Sequence, residues 1–279
     1  MSALPPDEVR AHWERAAAEH GAELLATTKT STAKRLEIDA LARALEARGF
    51  AARGADVLEV GCGNGHNLRA LVERFPALRF TGVDYVPGMI AAAEAWRAES
   101  AHGERLAFHV GDALELARLA PLRARYDAAF TDRCLINLGS SERQQRALLE
   151  IAEKLAPGGW LFAIENSRAC FERQNECRER VGLARRTPAA FNHFLEEDAL
   201  FPAVAHTLEL VATEDFISLH DLALYVLVPA TNGGSVDYAH PLVEAATRLA
   251  LALPSELRGA FGPFGQNRLY SLRKRGGGA

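Results

Sequence analysis

A chain of 279 residues, 48% hydrophobic and 24% charged, is composed like an ordinary globular protein. It is long enough for one large α/β domain with a substrate-binding elaboration or for a domain and a half, and two independent cores would be a squeeze. The formal net charge of -4 excludes the basic excess with which general nucleic-acid binders displace counterions, so no nucleic-acid partner is expected. Cys62, Cys134, Cys170 and Cys177 form no CxxC pair and no Cys/His cluster, which argues against a metal site or a disulfide framework and for a reducing, cytoplasmic setting. Met1 to Arg10 lacks a basic segment followed by an apolar run, and no stretch of ~18 apolar residues occurs, so no membrane partner is expected.

In chain order, residues 7–25 and 33–49 have helical periodicity, the second with Leu36, Leu41 and Leu45 among charges and Gly49 as its stop. A polar run, Thr27 to Thr32, separates them. The rhythm then changes: Asp56 to Val60 is a short apolar run ending in glycines, as expected of a buried parallel strand feeding a helix from Asn67 to Phe75. The pattern repeats through strand Arg79 to Asp84, helix Pro87 to Ser100, strand Arg105 to Val110 and a short helix Ala113 to Ala120. Strand Tyr126 to Thr131, helix Ser141 to Leu155, a Pro157-Gly158-Gly159 turn and strand Trp160 to Glu165 complete it. Strands alternating with helices in this way predict an α/β, Rossmann-like, doubly wound sheet. Beyond residue 166 the alternation breaks, and two further strands are expected at Thr207 to Phe216 and Asn267 to Arg273, with a helix-like run from Pro241 to Leu253 between them. Residues 1–50 are read as a helical N-terminal cover and 51–279 as the main domain. Its helical insertions at about 168–206 and 218–264 are expected at the ligand-binding edge, as a substrate wall.

The strongest local signal is Glu59-Val60-Gly61-Cys62-Gly63-Asn64-Gly65-His66-Asn67, where the first strand turns into its helix. Glycines there allow a tight turn and close approach of backbone to a ligand. The spacing is GxGxG, and position 66 is His rather than the last Gly of a dinucleotide GxGxxG, so a ligand without phosphate is favoured. An amine-bearing ligand suits Glu59. Asp84 ends the second strand, where a carboxylate can accept both hydroxyls of a ribose, and Asp112, after Gly111, can accept from an exocyclic adenine amine or simply cap a helix.

These segments, with Gly82 to Met89, Gly111 to Ala113 and Leu155 to Gly159, resemble the successive motifs of class I S-adenosylmethionine-dependent methyltransferases over about residues 33–166. The resemblance implies S-adenosylmethionine as cofactor, S-adenosylhomocysteine as product, and a seven-stranded sheet whose last strand is antiparallel. Carried over by position, Gly61, Cys62, Gly63 and Gly65 line the methionine moiety, Asp84 the ribose, and Tyr85 and Met89 the adenine or ribose face. Gly111, Asp112 and Ala113 meet the adenine, and Asp132 lies near the amine or the methyl group. The stretch from Asp132 to Leu138, Glu165 and the close from Gly262 to Lys274 are similar to a bacterial subgroup found with sugar and secondary-metabolite pathways.

Methyl transfer asks the protein to align nucleophile, carbon and sulfur and to exclude water. An oxygen or ammonium nucleophile also needs a base, usually His. His193, between Asn192 and Phe194, is the preferred base, and Arg133 a candidate anion-binding group with a catalytic part. Asn137, Glu165, Asn192 and Tyr225 join Arg133 and His193 as expected contacts to a small-molecule substrate. Trp13 is read as a helix-packing aromatic. A homodimer is an allowed assembly, and no metal is expected. The same residues admit a cyclase or lyase acting on S-adenosylmethionine, and the strand-turn-acid pattern admits a nicotinamide-dependent oxidoreductase.

Overall fold

A computed structural model describes residues 4–254, 257 and 262–276. Parts of the second expected insertion, at 255–256 and 258–261, and of both termini lie outside the described residues. The seven strands are β1 (Ala55–Val60), β2 (Leu78–Asp84), β3 (Leu106–Val110), β4 (Tyr126–Asp132), β5 (Leu155–Asn166), β6 (Leu208–Glu214) and β7 (Asn267–Lys274). They form one sheet in the order β3-β2-β1-β4-β5-β7-β6. β1 pairs in parallel with β2 and β4, so Glu59 stands opposite Gly82 on one side and Phe130 on the other. β7 runs antiparallel between β5 and β6. The expected Rossmann-like sheet with an antiparallel last strand is therefore what forms.

The helices are α1 (Pro6–His20), α2 (Ser31–Ala47), α3 (Phe50–Arg53), α4 (His66–Arg74), α5 (Pro87–Glu99), α6 (Ser141–Lys154), α7 (Arg168–Arg180), α8 (Glu197–Val204), α9 (Ser218–Leu222), α10 (Val228–Thr231) and α11 (Pro241–Ala252). None of those described is long and apolar enough to cross a membrane. They cover both sheet faces, which is why β1 is buried nearly along its length instead of alternating. Val57, Phe80, Phe130 and Phe162 pack with Leu36, Leu41 and Leu45 of α2 and Leu68 and Leu71 of α4. On the opposite face, Leu58, Ala129 and Leu161 pack with Leu148 and Ile151 of α6 and Leu200 of α8. α2 thus belongs to the main core, and α1 is the element laid over the sheet edge, through a small cluster of Trp13 and Ala17 with Ala26, Tyr85, Val86 and Met89.

Three local expectations differ. The first helix stops at His20, where Gly21 takes φ +49°, and a separate 3-10 turn follows at Leu24–Ala26. The helix expected after β3 shrinks to a 3-10 turn, Leu116–Arg118, because the Asp112 side chain accepts from Leu114 N at 2.9 Å and offers the backbone a turn instead. Pro157-Gly158-Gly159 is an irregularity inside β5 rather than a turn ahead of it, with the register to β4 shifting between Tyr126 and Ala128.

Candidate active site

The carboxyl ends of β1, β2 and β4 open into a cavity of about 1200 Å³, roofed by α1, the segment 25–30 and the irregular segment after α7. The two covers meet above it: His12 stacks on Phe191 at 4.4 Å between ring centroids, Trp13 meets the same ring edge-on, and Leu4 N donates to Ala190 O. Trp13 lines the cavity as well as packing.

The floor is the turn after β1. Gly61 N and Cys62 N both donate to Val83 O, which draws the turn against β2. Gly61 has φ +75°, and a Cβ there would lie 2.5 Å from Cys134 Sγ, so the chain has room for glycine alone at this point. Asp84 is fixed by backbone amides, its two oxygens accepting from Gly63 N and Val86 N at 2.9 Å each, while burial pushes its pKa up to about 6. Tyr85, Met89, Gly111, Asp112 and Ala113 line the same end. His66, half-buried at the start of α4, is pushed down to about 4 by burial, with Lys34 and Arg69 adding to it.

Beside this floor lies a network of buried ionisable groups. Asn67 Nδ2 donates to Glu59 Oε1 (2.7 Å) and Asp132 Oδ2 (3.0 Å). Lys34 reaches in from α2 to Asp132, to Asn67 Oδ1 at 3.2 Å and to Glu37 at 2.8 Å. Glu37 also receives Asn267 Nδ2 at 2.8 Å and faces Arg133 at 3.2 Å. Burial drives the Glu59 pKa well above its ordinary value. Burial also disfavours the charge on Asp132, but Lys34 and Arg133 overcome it and hold that carboxyl below the usual range.

On the acceptor side, Arg133, Asn137, Asn192 and Tyr225 line the cavity. Arg133 has the left-handed φ of +59°, unusual for a residue with a side chain, and its guanidinium is balanced by Glu37 and Asp132. Asn137 donates to Arg133 O at 2.7 Å and braces that turn. Glu165 and His193 are placed elsewhere. The Glu165 carboxylate turns under the loop after β4 and accepts from Thr131 Oγ1 and from the backbone N–H of Cys134, Leu135 and Ile136. It is absent from the cavity wall. The His193 ring sits against Ser141 Oγ at 3.2 Å, off the wall, with its backbone N tied to Ile136 O. The histidine that does face the cavity within a hydrogen-bonded chain is His220: Nδ1 lies 3.0 Å from Asp221 Oδ1, and Nε2 lies 3.0 Å from Thr32 Oγ1, which contacts the cavity-lining Thr30.

Residues 57–159 match the family described as methyltransferase domain. Over those residues the chain is similar to methyltransferases that use S-adenosylmethionine. A curated relative, trans-aconitate 2-methyltransferase of Streptomyces avermitilis, is 44% identical over 75 residues, which span 27% of this chain and 27% of the relative. The match thus covers about a quarter of that protein's length. Among solved structures, magnesium protoporphyrin IX methyltransferase from Synechocystis with bound SAM superposes with a TM-score of 0.58 at 14% identity, covering 98% of this chain and 99% of that one. The [4+2]-cyclase SpnF superposes with a TM-score of 0.53 at 24% identity over 86% and 82%. At these identities the superpositions establish a shared fold.

The residues present suit the cofactor of such a domain. Two buried carboxylate oxygens on the cavity wall, Glu59 Oε2 and Asp132 Oδ1, have no hydrogen-bond partner among the described residues. An amine supplies what they lack. The turn at Gly61 to Gly63 is a cradle that any Cβ would fill, since one at Gly63 would meet Thr27 Cγ2 at 2.6 Å. Sequence reasoning missed Asn67, Lys34 and Glu37 as site residues, because by type they fit solvated helix positions.

Proposed function

We propose that the protein transfers the methyl group of S-adenosylmethionine to a small polar acceptor of the secondary-metabolite or sugar-related kind. The observation that carries the reading is Glu59 Oε2, a buried carboxylate oxygen without a partner among the described residues, next to Asp132 Oδ1, which has no hydrogen bond and only the 3.5 Å ion pair with Arg133 Nε, beside a glycine cradle and the Asp84 carboxylate. When bound, the cofactor supplies a methyl group on a positively charged sulfur. Glu59 and Asp132 would accept from its amine, Asp84 from its ribose hydroxyls, and Tyr85, Met89 and Ala113 would wall its adenine. A cavity of about 1200 Å³ exceeds the volume of a typical single-ligand site, roughly 300–1,000 Å³, and leaves space for a second molecule beneath the two covers. The acceptor named by the curated relative, trans-aconitate, is itself small.

Alignment and water exclusion are the protein's main contributions to such a displacement. Where the acceptor must lose a proton, His220 replaces His193 as the proposed base. Asp221 favours the tautomer with hydrogen on Nδ1, which leaves Nε2 to accept a proton directly or through the Thr32 and Thr30 hydroxyls. Calorimetry with S-adenosylhomocysteine tests the cofactor site, and product analysis tests the chemistry. S-adenosylhomocysteine should accumulate with an acceptor panel. Methylthioadenosine in its place would assign a cyclase or lyase, and absence of binding would remove the reading altogether.

A further inference from the structure

The acids Glu59, Asp84, Asp112 and Asp132 of the cavity wall come from the carboxyl edge of the sheet and Glu37 and Asp221 from α2 and α9, whereas the cations Arg143 and Arg186 come from α6 and from the irregular segment after α7. Arg186 is a held group rather than a loose surface side chain. Its Nη1 donates to Gln174 Oε1 at 2.8 Å, its Nη2 to Gln266 Oε1 at 3.0 Å, and its guanidinium lies 3.4 Å from the centre of the Tyr225 ring. The Gln174 amide cannot turn round, because its Nε2 is committed to Asp221 Oδ2 (2.9 Å) and Phe264 O (2.8 Å). Tyr225 itself sits on a π-helical turn, Ala223–Leu227, a local widening that brings its ring under the guanidinium.

Among the described residues neither Arg186 nor Arg143 is paired with a carboxylate, whereas Arg133 and Arg185 on the same wall are, with Glu37 and Asp132 and with Glu172 and Glu179. Arg143 Nε is buried and has no partner. A guanidinium offers five N–H donors, so the two amide contacts of Arg186 leave three of them for a ligand. They are presented in the planar fork that fits a carboxylate, on a guanidinium held against the Tyr225 ring. The neighbouring Asn137 Oδ1 and Asn192 Oδ1, also buried and unpartnered, would accept from hydroxyl or amide hydrogens on the same molecule.

We infer that Arg186 anchors a carboxylate of the methyl acceptor, with Arg143 as the second cation of the subsite, and that the substrate class is organic acids. This rests on the methyltransferase reading above. The bound carboxylate neutralises a cation that the fold leaves without a counter-ion, so the discrimination is against neutral analogues of the same shape.

To test it, the protein saturated with S-adenosylhomocysteine is titrated calorimetrically with short aliphatic and aromatic mono-, di- and tricarboxylic acids, each beside its primary amide. Acids that bind are then assayed for methylation with S-adenosylmethionine. At least one acid should bind where its amide does not. R186Q should weaken that acid by ~10–100-fold in Kd and KM with a much smaller change in kcat and unchanged affinity for S-adenosylhomocysteine, and R186K should recover part of the loss. R143Q, on a different element, should weaken the same acid, and serves as the deciding variant if R186Q does not fold. Acids binding no better than amides, or Kd within about twofold of wild type in these variants, would overturn the assignment. Failure of S-adenosylhomocysteine to bind the wild type would instead sink the methyltransferase reading.

Discussion

Replacing Asp84 with Asn should separate cofactor binding from folding. In the folded chain the carboxyl pKa rises from 3.8 to about 6 because it is buried, even though Gly63 N and Val86 N both donate to it. That gap corresponds to about 3 kcal/mol of stability withheld by the ionised form. The folded pKa lies above the unfolded one, so the penalty is present in full above about pH 6 and fades as the pH falls toward 4. The neutral amide of the variant would remove the penalty but would aim an N–H at a backbone N–H, at a cost of ~1–3 kcal/mol. The two effects nearly cancel at about pH 7.5, and the unliganded variant should melt within a few degrees of wild type. Binding is different, because hydrogen bonds from ribose hydroxyls to a charged acceptor contribute ~1.5–3 kcal/mol each and Asn keeps at most one neutral acceptor. A loss of ~2–4 kcal/mol, or ~30–1,000-fold in Kd, is expected. In the wild type, Kd should also rise as the pH drops below about 6 and the carboxylate takes up its proton. Calorimetry with S-adenosylhomocysteine and thermal melts in the same buffer measure both quantities. A D84N protein that binds within about threefold of wild type would refute the placement of the ribose at this carboxylate.

Gly61→Ala should lower stability by ~2–4 kcal/mol, from a left-handed Ala and a collision with Cys134, and an unchanged denaturation midpoint in urea would contradict it. Glu165→Gln should destabilise by ~1–3 kcal/mol because one of four donors then faces an N–H, with acceptor KM little changed; a raised KM at full stability would instead put Glu165 in contact with the acceptor. For an acceptor that must be deprotonated, His220→Gln should flatten the acidic limb of the kcat profile while His193→Gln leaves it in place, and the reverse pattern would restore His193 as base. Cofactor binding should release protons, since an amine donating to Glu59 Oε2 favours the ionised form of a carboxyl whose pKa burial raises; a binding enthalpy independent of the buffer's ionisation heat would count against this contact.

The sheet was legible because its strands are buried on both faces and so stand out as apolar runs, and because glycines mark where the first one turns. Positions were easier to read than directions. Glu165 does end β5 as its place in the sequence implies, but four donors from the loop after β4 pull its carboxylate beneath that loop instead of into the cavity. His193 and His220 look alike as letters. Which one faces the cavity depends on Asp221 and Thr32, the latter 188 positions away in the chain. Lys34 and Glu37 fit a solvated helix face by their type, yet they are 4% and 0% exposed, because their partners arrive from β4, α4 and β7. No periodicity within α2 could reveal that.

That buried network also explains how the cover and the site can be coupled. Among the described residues Lys34 and Arg133 are the cations paired with Glu37 and Asp132, and burial raises the Glu59 pKa, which disfavours its charge in the absence of ligand. Isolated buried charge is costly, so any change in the ionisation of Glu59 must be matched by another charge nearby. A cationic ligand at Oε2 is such a match, and Asn67, which donates to both Glu59 and Asp132, links it to the carboxylate that holds Lys34 of α2 and Arg133 of the loop after β4. Cofactor charge is therefore felt at once by the helix that leads into the N-terminal cover and by the strained turn that forms one wall of the acceptor site, which gives the two ligands a physical route to influence each other's binding.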